Sequence, residues 1–306
     1  MRSVSPDIEL LDSRWEDPSP ERPVSEPRAL VFIRTLFRVL GPLAPRLAAG
    51  LAFRFFTTPR VRARHSTRDE LLDSARHFGL KFQKYNLKGY EWGSGERTIL
   101  LVHGWESRGT ALRSFVPPLL EQGFRVVAFD GPAHGDSSGR HTNILHFSRA
   151  LRAVIGQLGG VYGAICHSFG GASTLFALNH LGDEPAVDIK KLVLIAVPAD
   201  MVHIFKEAVE TLGLPPAVAG HFKRLMERKA GRTLEDLDAI LAGMPAEECK
   251  VLLVHDRSDR QVSVDNSLQM ARHWENASLL LTEGYGHYRL MKNPDLIRRV
   301  AEFFQV

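Results

Sequence analysis

At 306 residues and 44% hydrophobic content, the chain can bury a sizeable core and is read as one large α/β domain with additions. Its two cysteines, Cys166 and Cys249, are too few for a disulfide framework and sit in no metal-ligand spacing, which argues against a stapled extracellular scaffold and for a reducing, cytoplasmic compartment. The net charge is +4, yet residues 28 to 68 hold nine arginines and no acid; the remainder therefore carries −5, the wrong sign for a nucleic-acid-binding body.

Residues 1–27 contain five prolines among mixed charges and no apolar stretch suited to a signal-peptide core, so this start is expected to be disordered. Nowhere do 18 uninterrupted apolar residues occur, and no transmembrane helix is expected. From Ala29 to Phe56 the chain is apolar but interrupted by Arg34 and Arg38, one turn apart, as in an amphipathic helix. Gly41, Pro42 and Pro45 break it, and a second helix is expected from about Arg46 to Phe56. Two kinds of partner stay open: a membrane surface touched through residues 28–64, with arginines at headgroup level, or protein, either the body of the fold or another subunit. Thr67 and Glu70 form a T-x-x-E capping box for a helix through about Phe78, with Gly79 as its C-terminal cap.

Apolar runs then follow at Lys81–Trp92, Thr98–Val102, Arg125–Phe129, Gly163–Cys166, Lys191–Val197, Lys250–Val254 and Ser278–Leu281. They alternate with helical stretches, the pattern of a mostly parallel sheet with helices on both faces. Between Pro198 and about Glu248 the alternation lapses into Met201–Leu212, Ala217–Lys229 and Leu234–Ala242, which reads as an inserted helical cap. Its apolar residues, among them Ile204, Phe205, Leu212, Leu214, Phe222 and Met226, either line a substrate pocket or pack. The expected organisation is a disordered 1–27, a basic helical extension over 28–80 and a body over 81–306 with the cap at about 198–248.

Chemistry concentrates in three loops. Ala164-Ile165-Cys166-His167-Ser168-Phe169-Gly170-Gly171 runs from a short strand through a serine into a helix, the context of a nucleophile elbow. The turn lifts the hydroxyl above the sheet, so the residues two before and two after must be small; Gly170 meets this, and Cys166 stands where glycine is usual. Read locally, the same turn also fits a plain serine cap. A serine needs a base, and the base needs an orienting acid. Gly284-Tyr285-Gly286-His287 follows the last strand and offers the base, its glycines permitting a tight loop. Asp256 and Asp259 follow the penultimate strand; Asp259, further from the strand end, is the preferred acid, with Asp256 expected to shape the turn or pair with an arginine.

With Ser168, Asp259 and His287 in that chain order, residues 81 to 306 resemble the α/β-hydrolase superfamily in its esterase/lipase-like branch. Leu101-Val102-His103-Gly104-Trp105 is similar to the family's H-G-x oxyanion loop. The resemblance implies that the Trp105 N–H joins the Phe169 N–H in binding an oxyanion, with His103 bracing the loop. Asp130-Gly131-Pro132-Ala133-His134-Gly135-Asp136-Ser137 resembles the family's D-x-P-G-H-G-x-S turn, with Ala133 in place of glycine, and implies a scaffold role for Asp130 and His134.

The activity so implied is hydrolysis of a carboxylic ester or thioester with an apolar part through a Ser168 acyl-enzyme, without metal or organic cofactor. An acyltransferase and a catalytically silent binding module are the alternatives. Metal-assisted hydrolysis through His134, Asp136, His141 and His146 is disfavoured because their spacing fits no recognisable ligand set.

Overall fold

In the computed structural model, residues 7–13, 15–16, 28–63, 65, 69–179 and 187–305 are described. Among them, nine strands form one sheet: β1 (Asp7–Leu10), β2 (Arg76–Phe82), β3 (Tyr85–Trp92), β4 (Thr98–Val102), β5 (Arg125–Phe129), β6 (Gly163–His167), β7 (Lys191–Ile195), β8 (Lys250–Asp256) and β9 (Ala277–Thr282). Their spatial order is β1-β9-β8-β7-β6-β4-β5-β3-β2. The pairs from β1 to β5 are parallel, and the β5–β3 and β3–β2 pairs are antiparallel.

The continuous apolar runs have a simple cause. Every residue of β4, β6 and β7 is buried, as in parallel strands covered on both faces. Along β4, Leu100 and Val102 join one core while Ile99 and Leu101 join the other, the two-residue period of a strand. Helices α1 (Arg28–Leu43), α2 (Pro45–Phe56), α3 (Glu70–Asp73), α4 (Val116–Glu121), α5 (Ile144–Gln157), α6 (Phe169–Asn179), α7 (Met201–Leu212), α8 (Pro216–Ala230), α9 (Leu234–Ala242), α10 (Asp265–His273), α11 (Gly286–Arg289) and α12 (Pro294–Gln305) complete the fold. Phe147 and Leu151 of α5 and Leu175 of α6 seal one face of the sheet, while Leu119 of α4 and Val300 and Phe304 of α12 seal the other.

Three expectations are corrected. Within the start expected to be disordered, Asp7–Leu10 pairs with β9 from Asp7↔Ser278 to Leu10↔Leu281. Beyond it, the Tyr285 hydroxyl donates to the carbonyls of Ser13 (3.1 Å) and Trp15 (2.9 Å); residues 1–6, Arg14 and 17–27 lie outside the described residues. The helix expected to reach Phe78 ends at Asp73, and its N-cap is Asp69, whose side chain accepts from Leu72 N–H; Thr67 lies outside the described residues. Arg76–Phe82 is instead a strand that turns Leu80 and Phe82 inward, with Gly79 opposite Lys88 in its middle. The expected single strand Lys81–Trp92 is therefore the second half of a hairpin turning at Gln83, where φ is 51°. The boundary at residue 81 falls inside β2.

The N-terminal helices pack on the cap. Phe37, Ala48, Ala49 and Ala52 are buried, Phe56 meets Phe222 edge-on at 5.7 Å between centroids, and Arg34 Nε donates to Thr211 O at 3.0 Å. Gly41 lies so close to the cap that an added Cβ would sit 2.9 Å from Pro215 Cγ. Of the cap's apolar residues, Leu212, Leu214, Phe222 and Met226 are buried, and Ile204 and Phe205 pack partly buried against the same core. These six residues are core packing. Among the described residues, no helix is long and apolar enough to cross a membrane.

Candidate active site

The elbow serine is held in a backbone conformation that residues with a Cβ rarely adopt. Ser168 has φ of 51°, a left-handed geometry that costs on the order of 1–2 kcal/mol and persists only where its surroundings enforce it. Here they do: Ser168 N–H donates to Ile195 O on β7 (2.9 Å), and its carbonyl accepts from Gly171 N–H (2.9 Å) and Ala172 N–H (3.1 Å), starting α6. Gly170 lies against the backbone of Val102 and His103, so the end of β4 and the start of α6 touch. Cys166 fills the position two before the serine. It is fully buried, accepts from Thr174 Oγ1 at 3.3 Å, and burial pushes its thiol up to about 12. That places it among inert structural thiols.

His287 sits in α11 behind Gly284 (φ 88°) and Gly286 (φ 64°), whose backbones need the freedom only glycine has. Its ring is 6% exposed, and Nδ1 lies 2.7 Å from Asp259 Oδ2. A carboxylate only accepts, so Nδ1 carries the proton and Nε2 presents its lone pair. Burial works against the Asp259 charge, but hydrogen bonds from His255 and His287, the His287 charge and the Val262 N–H outweigh it and hold the carboxyl well below its ordinary range. The other oxygen of Asp259, Oδ1, accepts from the N–H groups of Gln261 (2.8 Å) and Val262 (3.0 Å).

Asp256 is buried and belongs to the frame. Its Oδ1 accepts from Ser258 N–H (2.9 Å), and its Oδ2 accepts from Thr282 Oγ1 (2.8 Å) and Tyr285 N–H (3.0 Å). It thereby shapes its own turn and ties down the loop that carries His287. Two residues of this site carried no signal in the sequence. His255 Nε2 lies 3.5 Å from Asp259 Oδ2 and 3.0 Å from Val262 O. His167 Nε2 lies 3.0 Å from the His287 carbonyl oxygen, with the two rings 4.7 Å apart; burial, then the His287 charge, lowers its imidazole to about 3, so it stays neutral. The partner of His167 comes from a loop 120 residues further along, whereas His255 meets Asp259 and Val262 only because the loop after β8 folds back on its own strand end.

The loop after β4 faces the elbow. An added Cβ on Gly104 would lie 3.3 Å from Ser168 Cβ, and the rings of Trp105 and Phe169 pack edge-on at 5.1 Å. Neither the Trp105 N–H nor the Phe169 N–H has a protein acceptor among the described residues. His103 Nε2 accepts from Gly131 N–H (2.9 Å), and Nδ1 faces Gly104 O (2.8 Å), so it braces this loop against the next. His134 Nε2 accepts from Glu106 N–H (3.1 Å). Asp130 accepts from Gly109 N–H (2.6 Å), Tyr90 OH (2.8 Å) and Asp136 N–H (2.8 Å), with His65 Nε2 at 3.2 Å. Ala133 takes the glycine's conformation at φ 67°.

The structure thus joins His287 to Asp259 and brings the loop that carries Trp105 against Ser168 and Phe169. No hydrogen bond links Ser168 Oγ to His287. Serine–histidine contacts of this kind are often long without substrate and tighten when it binds. His134, Asp136, His141 and His146 do not converge: His141 bonds Thr58 and His146 bonds Thr142. Among the described residues, His65, Asp130 and Asp136 come close enough to share a metal ion, but Asp130 is the residue already engaged by three hydrogen-bond donors and His65.

The chain is similar to the pyrethroid hydrolase of Sphingobium wenxiniae, 30% identical over 103 residues (33% of this chain, 37% of the relative). It is also similar to the non-heme haloperoxidase of Rhodococcus erythropolis, 31% identical over 153 residues (48% and 53%). The matched stretch spans no more than about half the length of either relative. A solved esterase of Pyrococcus furiosus superposes with a TM-score of 0.60 at 20% identity, covering 81% of this chain and 97% of that one, which speaks to the fold. The model of the alpha/beta hydrolase family matches residues 99–300, from β4 into α12 and across all three site loops, and the chain belongs to that family.

Proposed function

We propose that the chain is a serine hydrolase that cleaves carboxylic esters or thioesters through an acyl-enzyme on Ser168. In this reading His287 Nε2 takes the serine proton as Oγ attacks the carbonyl carbon. The Trp105 and Phe169 amides hold the oxyanion, and the protonated imidazole returns its proton to the leaving alcohol or thiol. Water, deprotonated by the same nitrogen, then releases the acid. Fixed amides meet charge that appears only in the transition state, and such a donor contributes about 10²–10³ in turnover. The observation that carries the reading is the 2.7 Å contact from His287 Nδ1 to Asp259 Oδ2, which orients an imidazole packed 4.7 Å from the ring of His167, the residue before a serine held at φ 51°.

An apolar substrate group is favoured by the half-buried aromatic side chains of Trp105 and Phe169, whose rings pack 5.1 Å apart next to the serine. The names of the pyrethroid hydrolase and the esterase support hydrolysis of an ester. Free, buried Cys166 and Cys249 support a cytoplasmic site of action. The test is turnover of a panel of nitrophenyl esters by wild type and Ser168→Ala. Activity is expected to vanish in the variant, and retained turnover would refute the nucleophile.

A further inference from the structure

Helix α1 is apolar on two sides, and one of them is exposed, with no partner among the described residues. Phe37 is buried toward the cap, while Phe32 (70% exposed), Val39 (62%) and Leu43 (80%) face outward, followed by Leu47 (66%) at the start of α2. Phe32, Val39 and Leu43 recur at spacings of seven and four, one stripe of a helix. Interleaved on this outer surface are Arg38, Arg46 and Arg54, all exposed and none in an ion pair with a described residue.

A cavity of about 350 Å³ lies at the far end of this surface, at the seam between α2 and the loop after β5. Arg54, Arg62, Arg140 and His141 line it with Thr58, and no carboxylate does. Arg54 belongs to both features, so the apolar stripe runs into a basic recess.

We propose that the outer face of α1 and α2 docks on an anionic phospholipid surface, with apolar side chains among the acyl chains and a headgroup phosphate seated against Arg54 and Arg140. Exposed apolar residues flanked by arginine are what an interfacial helix requires, and basic residues near an anionic leaflet add to the affinity. A second copy of the chain is the poorer occupant. A two-fold interface sets a surface against itself, here arginine against arginine in a segment without a single acid. The proposal uses no residue assigned to the Ser168 chemistry, so docking and hydrolysis stand or fall separately.

The test is flotation of the full chain with phosphatidylcholine vesicles, with and without phosphatidylglycerol, at low and high salt. The protein is expected to float only with the anionic vesicles and less at high salt. Phe32→Ser/Leu43→Ser/Leu47→Ser, at exposed positions that leave the thermal midpoint unchanged, is expected to weaken binding at least tenfold. Arg54→Gln/Arg140→Gln is expected to reduce the preference for phosphatidylglycerol by about tenfold or more. Wild type that stays unbound, or an apolar variant that floats like wild type, overturns the proposal. So does a dimer by light scattering that the apolar variant dissociates, which assigns the face to a second copy. A thermal shift with inorganic phosphate and no flotation assigns the cavity to a soluble anion and equally overturns it.

Discussion

Gly170 and His103 approach so closely that a Cβ on the glycine would stand 2.3 Å from the histidine's carbonyl oxygen. Neither backbone can retreat, because one lies in the first turn of α6 and the other directly follows β4. Gly170→Ala is therefore expected to destabilise the protein by about 1–3 kcal/mol, as overpacking does, and to displace the Trp105 loop from the elbow. Gly156→Ala is the control. That glycine is in α5, an added Cβ there meets nothing within 4 Å, and the change is expected to stabilise by about 0.5–1 kcal/mol. Thermal midpoints of the two variants, moving in opposite directions, check the claim.

Asp259→Asn keeps the shape of the loop but offers His287 Nδ1 an amide in place of a carboxylate. The imidazole then loses the partner that fixes its proton on Nδ1. Ester turnover is expected to fall by about 10⁴-fold with KM little changed, while Asp256→Asn, at the buried aspartate that ties the His287 loop, is expected to lower the thermal midpoint as well. Steady-state kinetics and thermal melts of both variants separate the two roles.

Acid stability follows from buried imidazoles. Burial, followed by the charge of His103 in one case and of His287 in the other, lowers His134 and His167 to about 3 in the folded chain, against about 6.5 when unfolded. The unfolded chain therefore binds their protons first. Stability is intact above about pH 6.5, falls as pH drops below it, and stops falling on this account near 3. His103, buried and lowered in the same direction, adds to the effect. Urea denaturation is expected to show stability nearly level from pH 7.5 to about pH 6.5 and then, toward pH 5, a decline approaching about 1.4 kcal/mol per pH unit for each of two or more protons; a flat or rising trend below about pH 6.5 would contradict it.

Phe222 links the cap to the N-terminal helices through Phe56, and to α7 through Phe205 at 5.6 Å. Phe222→Ala is expected to cost about 3–5 kcal/mol and to raise hydrogen exchange in α2 and α8 together. Faster exchange confined to α8 would mean that the extension holds on by itself.

What was legible in the sequence follows the range of the forces involved. The inner strands and the cap helices were readable almost to the residue, because burial on both faces writes an uninterrupted apolar run and helical packing writes a 3.6-residue period. Asp7–Leu10 was not: its four residues are exposed and alternate acid with apolar, so its strand exists only through β9. Arg76–Phe82 was misread because a T-x-x-E pattern marks a helix start, whereas the inward alternation of Phe78, Leu80 and Phe82 becomes decisive only beside β3. At the site, Ser168, Asp259 and His287 stood out by loop position and chain order. His167 did not, since its partner arrives from a loop far along the chain, and neither did His255, whose contacts to Asp259 and Val262 depend on how its loop folds back.

The most direct test of the central claim, an activated Ser168, is reaction of the full chain with a fluorophosphonate probe followed by peptide mass mapping. The account predicts one adduct, on the peptide containing Ser168, lost in His287→Ala. Folded wild-type protein that stays unlabelled, or carries the adduct on another residue, would contradict it.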